Sequence, residues 1–350
     1  MPIGEAAAAL HREALVVDSH NDSIVLHIRQ GNRSMSGEPD PALASRDGII
    51  RYLRGPLDSA QRGVEPQIDF PKMRAGGVDA AFFAVDVTRA WRNHLAYALD
   101  GHGFLAADLA AHLHEAVVAR SAAEIRAARD AGKLAAVLAI ENSEALDDSI
   151  NVLRAFHQLG IRAISLTHNP RSLAADGVGE TRTGGGLTEF GVRLVREMNA
   201  LGILVDVSHL SERGFWDVME HATTPVIASH SCCRALCDHV RNLSDAQLGA
   251  IKENGGVVGV TFVPAFVDPD QPTIERVLDH VEHALDVMGP AHVGLGSDFD
   301  GGGIALRDAT EYPRLTQGLL DRGHPADTIR GILGGNLLRA LDQAGAAAGR

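Results

Sequence analysis

The chain has 350 residues, enough for two average domains or for one elaborated α/β barrel. Hydrophobic residues at 45% against 22% charged residues exclude a disordered chain and place it among globular proteins with a sizeable buried core. Lys plus Arg number 32 and Asp plus Glu 45, and the resulting formal charge of −13 repels phosphate backbones and anionic lipid surfaces, so nucleic acid is not an expected partner.

The opening MPIGEAAAALHREALVVD carries Glu5, His11, Arg12 and Glu13 where a secretory signal would have a basic region and an apolar run. Nor does any uninterrupted apolar stretch of about eighteen residues follow. A cytoplasmic protein without membrane contact is therefore expected.

Short apolar runs then recur along the chain, most of them ending in a polar residue and leading into an amphipathic or Ala-rich segment. In order they are Ala14–Asp18, Val78–Val85, Leu134–Ile140, Ala163–Leu166, Leu201–Val207, Pro225–Ala228, Gly256–Thr261 and His292–Leu295. Runs apolar on both faces suit parallel strands covered by helices. Eight of them alternating with helices predict a (β/α)8 TIM-type barrel.

Helices are expected over Asp108–Ala131, over Thr188–Ala200 and Ser244–Lys252 with Thr188 and Ser244 as caps, over Pro272–Met288, and over Ala326–Ala344. The Gly-, Ser- and Pro-containing stretch Arg29–Gln67 reads as an insertion after the first strand, and no linker is evident, so one barrel domain over 1–350 is expected. The three cysteines, Cys232, Cys233 and Cys237, fall in one short stretch. An odd, clustered set suits free thiols better than disulfide staples, and a thiolate metal site behind His230 is the alternative.

In a parallel barrel the carboxyl ends of all strands meet at one rim, so the polar residue after each run is where chemistry is expected. The first run leads into Asp18, His20 and Asp22, the third into Glu141, the fourth into His168, the fifth into His209, the sixth into His230, and the eighth into Asp298 and Asp300. Imidazoles and carboxylates gathered this way are nearly the whole ligand set of a two-metal hydrolytic site. His20 and Asp22 project to one side of an extended strand end and can grip one ion, His209 and His230 a second, with Glu141 bridging the two. Mixed nitrogen and oxygen donors favour two Zn2+ ions, while manganese, cobalt or iron fit the same cage.

Each residue also has a plainer reading. Any one of 17 histidines is by itself more often a hydrogen-bonded or solvated group, and Asp22, Glu141 or Asp298 can simply cap the following helix. Arg241 can be a surface ion pair and His168 a hydrogen-bonded strand-end residue. The conjunction at one rim is what favours a metal centre.

At this point the chain resembles the membrane or renal dipeptidases, zinc dipeptidases within the wider amidohydrolase barrels. VVDSHND resembles the family's opening His-x-Asp signature, AIENSEAL its bridging-glutamate segment, SLTHN its histidine after the fourth strand, and PVIASHS its last metal histidine. The segment GLTEFGVRLVREMNALGILVDVSHLS is similar to the one that holds the preceding metal histidine. RNLSD, NGGVVGVTF, VGLGSDFDG and GGNLLRAL follow in the family's order.

The resemblance implies that His20 and Asp22 hold one zinc, His209 and His230 the other, and Glu141 bridges them. It further implies that His168 contacts the substrate carbonyl, Asp298 handles the proton and Arg241 binds a dipeptide's terminal carboxylate. A metallo-dipeptidase that tolerates a D-residue at the C-terminal position is the implied activity, through a hydroxide between the two zinc ions, and a homodimer the implied assembly. The animal enzymes' secretory signal, disulfides and lipid anchor have no counterpart in this sequence, and the segment PRSLAADGVGETRTGGG departs from theirs. Two other readings stay open: another binuclear hydrolase on the same scaffold, such as a lactonase or phosphotriesterase, and a non-catalytic metal-binding barrel.

Overall fold

All eight apolar runs become strands of one parallel sheet, which curls until its first and last strands meet. The computed structural model describes residues 2–38, 40–46, 48–50, 65–90 and 93–348. Its strands are β1 (Val17–Asn21), β2 (Ala80–Asp86), β3 (Ala116–Val118), β4 (Leu134–Glu141), β5 (Ile161–Ser165), β6 (Leu204–Asp206), β7 (Ile227–Ser231), β8 (Val257–Val260) and β9 (Val293–Leu295). Neighbours run in the order β1-β2-β4-β5-β6-β7-β8-β9, all parallel, with β3 attached outside this path to β4. Closure is made just past β9, where Asn21 bridges Phe299 and the Asp298 N–H donates to the His20 carbonyl at 3.0 Å. The result is a nearly closed (β/α)8 barrel, as expected.

Burial on both faces explains why the runs lack alternation. Along β4, Leu134, Ala136, Leu138 and Ile140 belong to one apolar cluster, and Ala135, Val137 and Ala139 to a second. The second cluster also holds Val17, Ala80, Leu204, Ile227 and Val257, each at the start of its strand, together with Leu337, Leu338 and Leu341. The C-terminal helix Asn336–Ala347 thus seals the amino-end mouth of the barrel with leucines, and polar chemistry is left to the opposite mouth.

Two predicted helices need correction. Asp108–Ala131 is not one helix: the helix His94–Ala111 ends, β3 pairs with β4 through Ala116 and Leu134, and a new helix Ala122–Asp130 begins under a Ser121 cap. Ala326–Ala344 is likewise broken into Ala326–Arg330, a π-turn Gly331–Gly335 and the terminal helix. Gly334 leaves helical geometry there because its backbone lies against β1: a Cβ on it would sit 2.3 Å from the Leu15 carbonyl oxygen. Of the insertion expected over Arg29–Gln67, residues 39, 47 and 51–64 lie outside the described residues; the rest includes a short helix, Pro41–Ala44. Among the described residues no helix is long and apolar enough to cross a membrane.

Candidate metal centre

At the carboxyl-end mouth, β1 delivers His20, β4 ends in Glu141, β7 carries His230, and His209 follows β6 in a short turn. His20, Glu141, His209 and His230 are all buried. Glu141 Oε1 is the meeting point, at 2.9 Å from His209 Nε2, 3.5 Å from His230 Nε2 and 3.9 Å from His20 Nε2. His209 Nε2 and His230 Nε2 are 2.8 Å apart. Asp22 Oδ2 and Asp298 Oδ1 also lie near His20 Nε2, each at 4.0 Å. The five residues proposed as ligands are therefore brought together, and donor atoms within 4.8 Å of one another group as His20, Glu141 and His230, as Glu141, His168 and His209, and as His20, Asp22 and Asp298.

His168 stacks on His209 with ring centroids 4.2 Å apart, and donor atoms of Glu141, His168 and His209 lie within 4.8 Å of one another. Asp298 holds a left-handed backbone, φ 55°, and its carbonyl oxygen accepts the N–H groups of Gly301, Gly302 and Gly303, so the turn aims its carboxyl group into the centre. His209 is also left-handed, φ 69°. Non-glycine residues are held in that region only where surrounding contacts compensate, and they gather at functional sites.

The plainer readings fare differently. Asp22 stands at the N-cap position of the helix Ser23–Arg29 but makes no side-chain cap bond, and after β4 the capping is done by Asn142, not Glu141. Arg241 is not a surface residue: it is 4% exposed, its Nη2 donates to the His230 carbonyl at 3.1 Å, and its guanidinium lies over the Phe266 ring at 5.2 Å. Its Nε is buried with no hydrogen-bond partner. Cys232 and Cys233 direct their sulfurs to the Thr261 and His280 carbonyls, and burial pushes both thiols up, Cys233 to about 12. These are neutral thiols, and neither cysteine joins the donor cluster.

Burial governs the electrostatics. It lowers the His20 imidazole to about 4, against the opposing pull of Asp206, and takes His209 and His230 well below the usual imidazole value, with Arg241 adding to the effect. Glu141 is raised well above the usual carboxylate value, first by burial and then by the Asp22, Asp86 and Asp298 charges. Neutral imidazoles beside crowded carboxylates are what a divalent cation needs as donors, and His20 Nε2 is buried with no hydrogen bond of its own. The residues present thus fit divalent metal bound by mixed nitrogen and oxygen donors.

Sequence reasoning missed four residues of this centre. Asp86 closes β2, sits in register with Glu141 and is raised to about 7 by burial and then by Asp22. Its signal was present in FFAVD, since it follows the second apolar run as Glu141 follows the third. Asp206, Ser229 and Asn169 support the histidines through their Nδ1 atoms, directly or through one another. Asp206 and Ser229 lie on strands and Asn169 beside His168, so only contact with a ring sets them apart. A cavity of about 450 Å³ opens nearby, lined by Gly177–Gly185 loop residues and by Ser211, Arg213, Arg234 and Val240.

Comparison with known proteins follows the same line. The family model described as membrane dipeptidase, peptidase family M19, matches residues 4–350. Dipeptidase aclJ of Aspergillus oryzae is 37% identical over 292 residues, 79% of this chain and 69% of that protein. An uncharacterized dipeptidase of Schizosaccharomyces pombe is 34% identical over 358 residues, 94% of this chain and 80% of that protein. Among solved structures, a metallo peptidase from Rhodobacter sphaeroides liganded with a phosphinate mimic of the dipeptide L-Ala-D-Ala superposes with a TM-score of 0.80 at 30% identity, covering 95% of this chain and 99% of that one. With a match that runs nearly from end to end, the chain belongs to the membrane dipeptidase family, peptidase family M19, and is a metallo-dipeptidase.

Proposed function

We propose that this enzyme cleaves the amide bond of free dipeptides with two divalent cations, zinc first among them, and accepts a D-residue at the C-terminal position. The observation that carries the reading is the convergence of three imidazole Nε2 atoms on Glu141 Oε1 within 2.9 to 3.9 Å, with Asp22 Oδ2 and Asp298 Oδ1 each 4.0 Å from His20 Nε2. His20 and Asp22 would hold one cation, His209 and His230 the other, with Glu141 between them. Bound there, the cations supply an acidified water and an electrophile for the scissile carbonyl.

The chain's own residues account for the rest. Asp298, whose Oδ1 lies 4.0 Å from His20 Nε2, would take a proton from the attacking water and pass it to the departing amine. His168, packed against His209, can donate to the carbonyl oxygen as negative charge develops there, an effect of about 3 to 4 kcal/mol for a well-placed donor. Arg241 offers a planar fork for a terminal carboxylate, and its partnerless Nε supports that role. A carboxylate anchor beside the reacting centre restricts substrates to short peptides with a free C-terminus. Tolerance of a D-residue is supported by the L-Ala-D-Ala mimic bound to the Rhodobacter sphaeroides protein.

The test is a library of dipeptides with L- or D-stereochemistry at the second residue, run beside a lactone and a phosphotriester, after chelation and after zinc is restored. Cleavage of dipeptides of both kinds that stops on chelation and returns with zinc is the expected result. Hydrolysis that survives exhaustive chelation, or cleavage of the lactone or phosphotriester with none of any dipeptide, overturns the proposal.

A further inference from the structure

Beneath the centre, β6 ends in Asp206 and β7 carries Ser229 immediately before His230. Asp206 is 4% exposed. Its Oδ1 accepts the backbone N–H groups of Ser208 and Ser229, both at 3.0 Å, and its Oδ2 accepts the Ser229 hydroxyl at 2.5 Å. The neighbouring hydroxyl, Ser208 Oγ, is 3.5 Å away and too distant to compete for that proton.

With its single proton committed to Asp206, Ser229 Oγ offers only lone pairs to whatever else approaches it. Two imidazoles do: His230 Nδ1 at 2.8 Å and His20 Nδ1 at 3.3 Å. A ring nitrogen that meets an acceptor must bring the proton itself. Both rings are therefore held with Nδ1 protonated and Nε2 bare, and Nε2 is the atom that each turns toward Glu141. His209 is served separately, since its Nδ1 faces Asn169 Oδ1 at 2.9 Å.

We propose that Asp206 is a positioning residue which, through the Ser229 hydroxyl, sets the ligating tautomer of His20 and His230 together, so that one buried carboxylate prepares a donor on each side of the two-cation centre. The proposal rests on the two-cation reading above and adds to it a shared control of both positions. Its direct consequence is that disturbing Asp206 weakens both cations, although it touches neither.

The Asp206→Asn variant tests this with almost no change of shape. Its amide oxygen keeps the two backbone bonds, while its NH2 group now donates to Ser229 Oγ. The hydroxyl proton must then turn toward an imidazole Nδ1 and drive that ring's proton to Nε2, the position a cation needs. Ser229→Ala is the companion variant: it removes the relay, imposes neither tautomer, and so loses less.

Two readouts besides activity decide the matter. Ring-nitrogen NMR of the chelated protein should show Nδ1–H patterns for His20 and His230 in the wild type, an Nε2–H pattern for at least one of them in Asp206→Asn, and no change at His209. Competition with a chromophoric chelator should show both zinc affinities reduced about 10- to 100-fold in Asp206→Asn and by a smaller factor in Ser229→Ala. Wild-type tautomers and zinc affinities in folded Asp206→Asn overturn the proposal, and if that variant does not fold, wild-type behaviour of Ser229→Ala does so. A wild type with the expected tautomers and affinities that cleaves no dipeptide upholds this inference and defeats the proposed activity. Dipeptide cleavage beside unaltered variants does the reverse.

Discussion

Asp298 shows how much a single backbone conformation can decide. Its left-handed φ of 55° turns the chain so that Gly301 passes directly over the carboxylates: a Cβ there would lie 2.2 Å from both Asp22 Oδ2 and Asp298 Oδ1. Both atoms belong to the centre, so neither can retreat without moving a donor. Gly301→Ala is accordingly expected to reduce bound metal while far-UV circular dichroism stays native, and a variant that keeps its full metal content contradicts the crowding. Asp298→Asn removes the proposed proton acceptor but keeps the shape, so it should retain its metal and slow kcat by about a hundred- to ten-thousand-fold. Near-normal kcat with full metal content would remove Asp298 from the proton path. At this scale a side chain that closes a strand was read at Glu141 but overlooked at Asp86 and Asp206, and Ser229 and Asn169 were illegible because their role depends on which ring they touch.

Strands and helices follow the same division. The apolar runs locate eight strands because burial on both faces leaves a mark that needs no partner to read. Their ends shift by a few residues, and in β1 the shift matters: the strand is Val17–Asn21, so His20 lies within it, inside the register break between Asp18 and Asn21. β7 breaks register between Ala228 and Ser231, around His230. Such irregularities re-aim side chains at the rims of barrels, and no composition rule reveals them. β3 was invisible because three residues, Ala-Val-Val, cannot outweigh the helical composition on either side. Between strands the approach is close enough to test: a Cβ on Gly296 would sit 1.8 Å from the Ser229 carbonyl oxygen and 2.6 Å from Ser19 Oγ, which itself bonds that carbonyl and Leu295. Gly296→Ala should therefore push β7 and β9 apart and cost about 3 kcal/mol in urea denaturation. A loss under about 1 kcal/mol would mean that the strands can part freely.

Acid sensitivity of the whole molecule is set by buried imidazoles, and one of them can be isolated from the centre. His102, on the helix His94–Ala111, is lowered by burial to about 4. Above pH 6.5 the ring is neutral in both folded and unfolded chains and contributes nothing to pH dependence. As pH falls, the unfolded chain takes up the proton first, so stability declines from about pH 6.5 and the loss levels off at about 3 kcal/mol below pH 4. His102→Leu should remove about that much of the difference between urea midpoints converted to free energy at pH 7.5 and pH 4. An undiminished difference would mean that the folded ring takes up its proton as readily as the unfolded one.

The carboxylates of the centre make the opposite demand, for positive charge supplied from outside. Burial and mutual repulsion raise Glu141 far above its ordinary value, with Asp22, Asp86 and Asp298 all contributing. Three imidazoles beside them are held neutral by burial and offer no compensating charge. Arg241 is the one fixed cation that Glu141 meets among its named neighbours, and burial lowers even that to about 10. Cations that bind the folded centre and not the unfolded chain stabilise it by mass action, about 3 kcal/mol for each site held at a hundred times its Kd. At about 2 °C per kcal/mol for a large domain, two filled sites raise Tm by about 10 °C. Scanning calorimetry of the protein as isolated, after chelation and after zinc is restored should show a fall of that size and its recovery. Because the fall comes from the cluster, replacing Glu141 with Gln, which removes the carboxylate on which the imidazoles converge, should leave a Tm that chelator no longer moves. A Tm indifferent to chelation in the unaltered enzyme would mean that these donors are satisfied by one another and hold no cation.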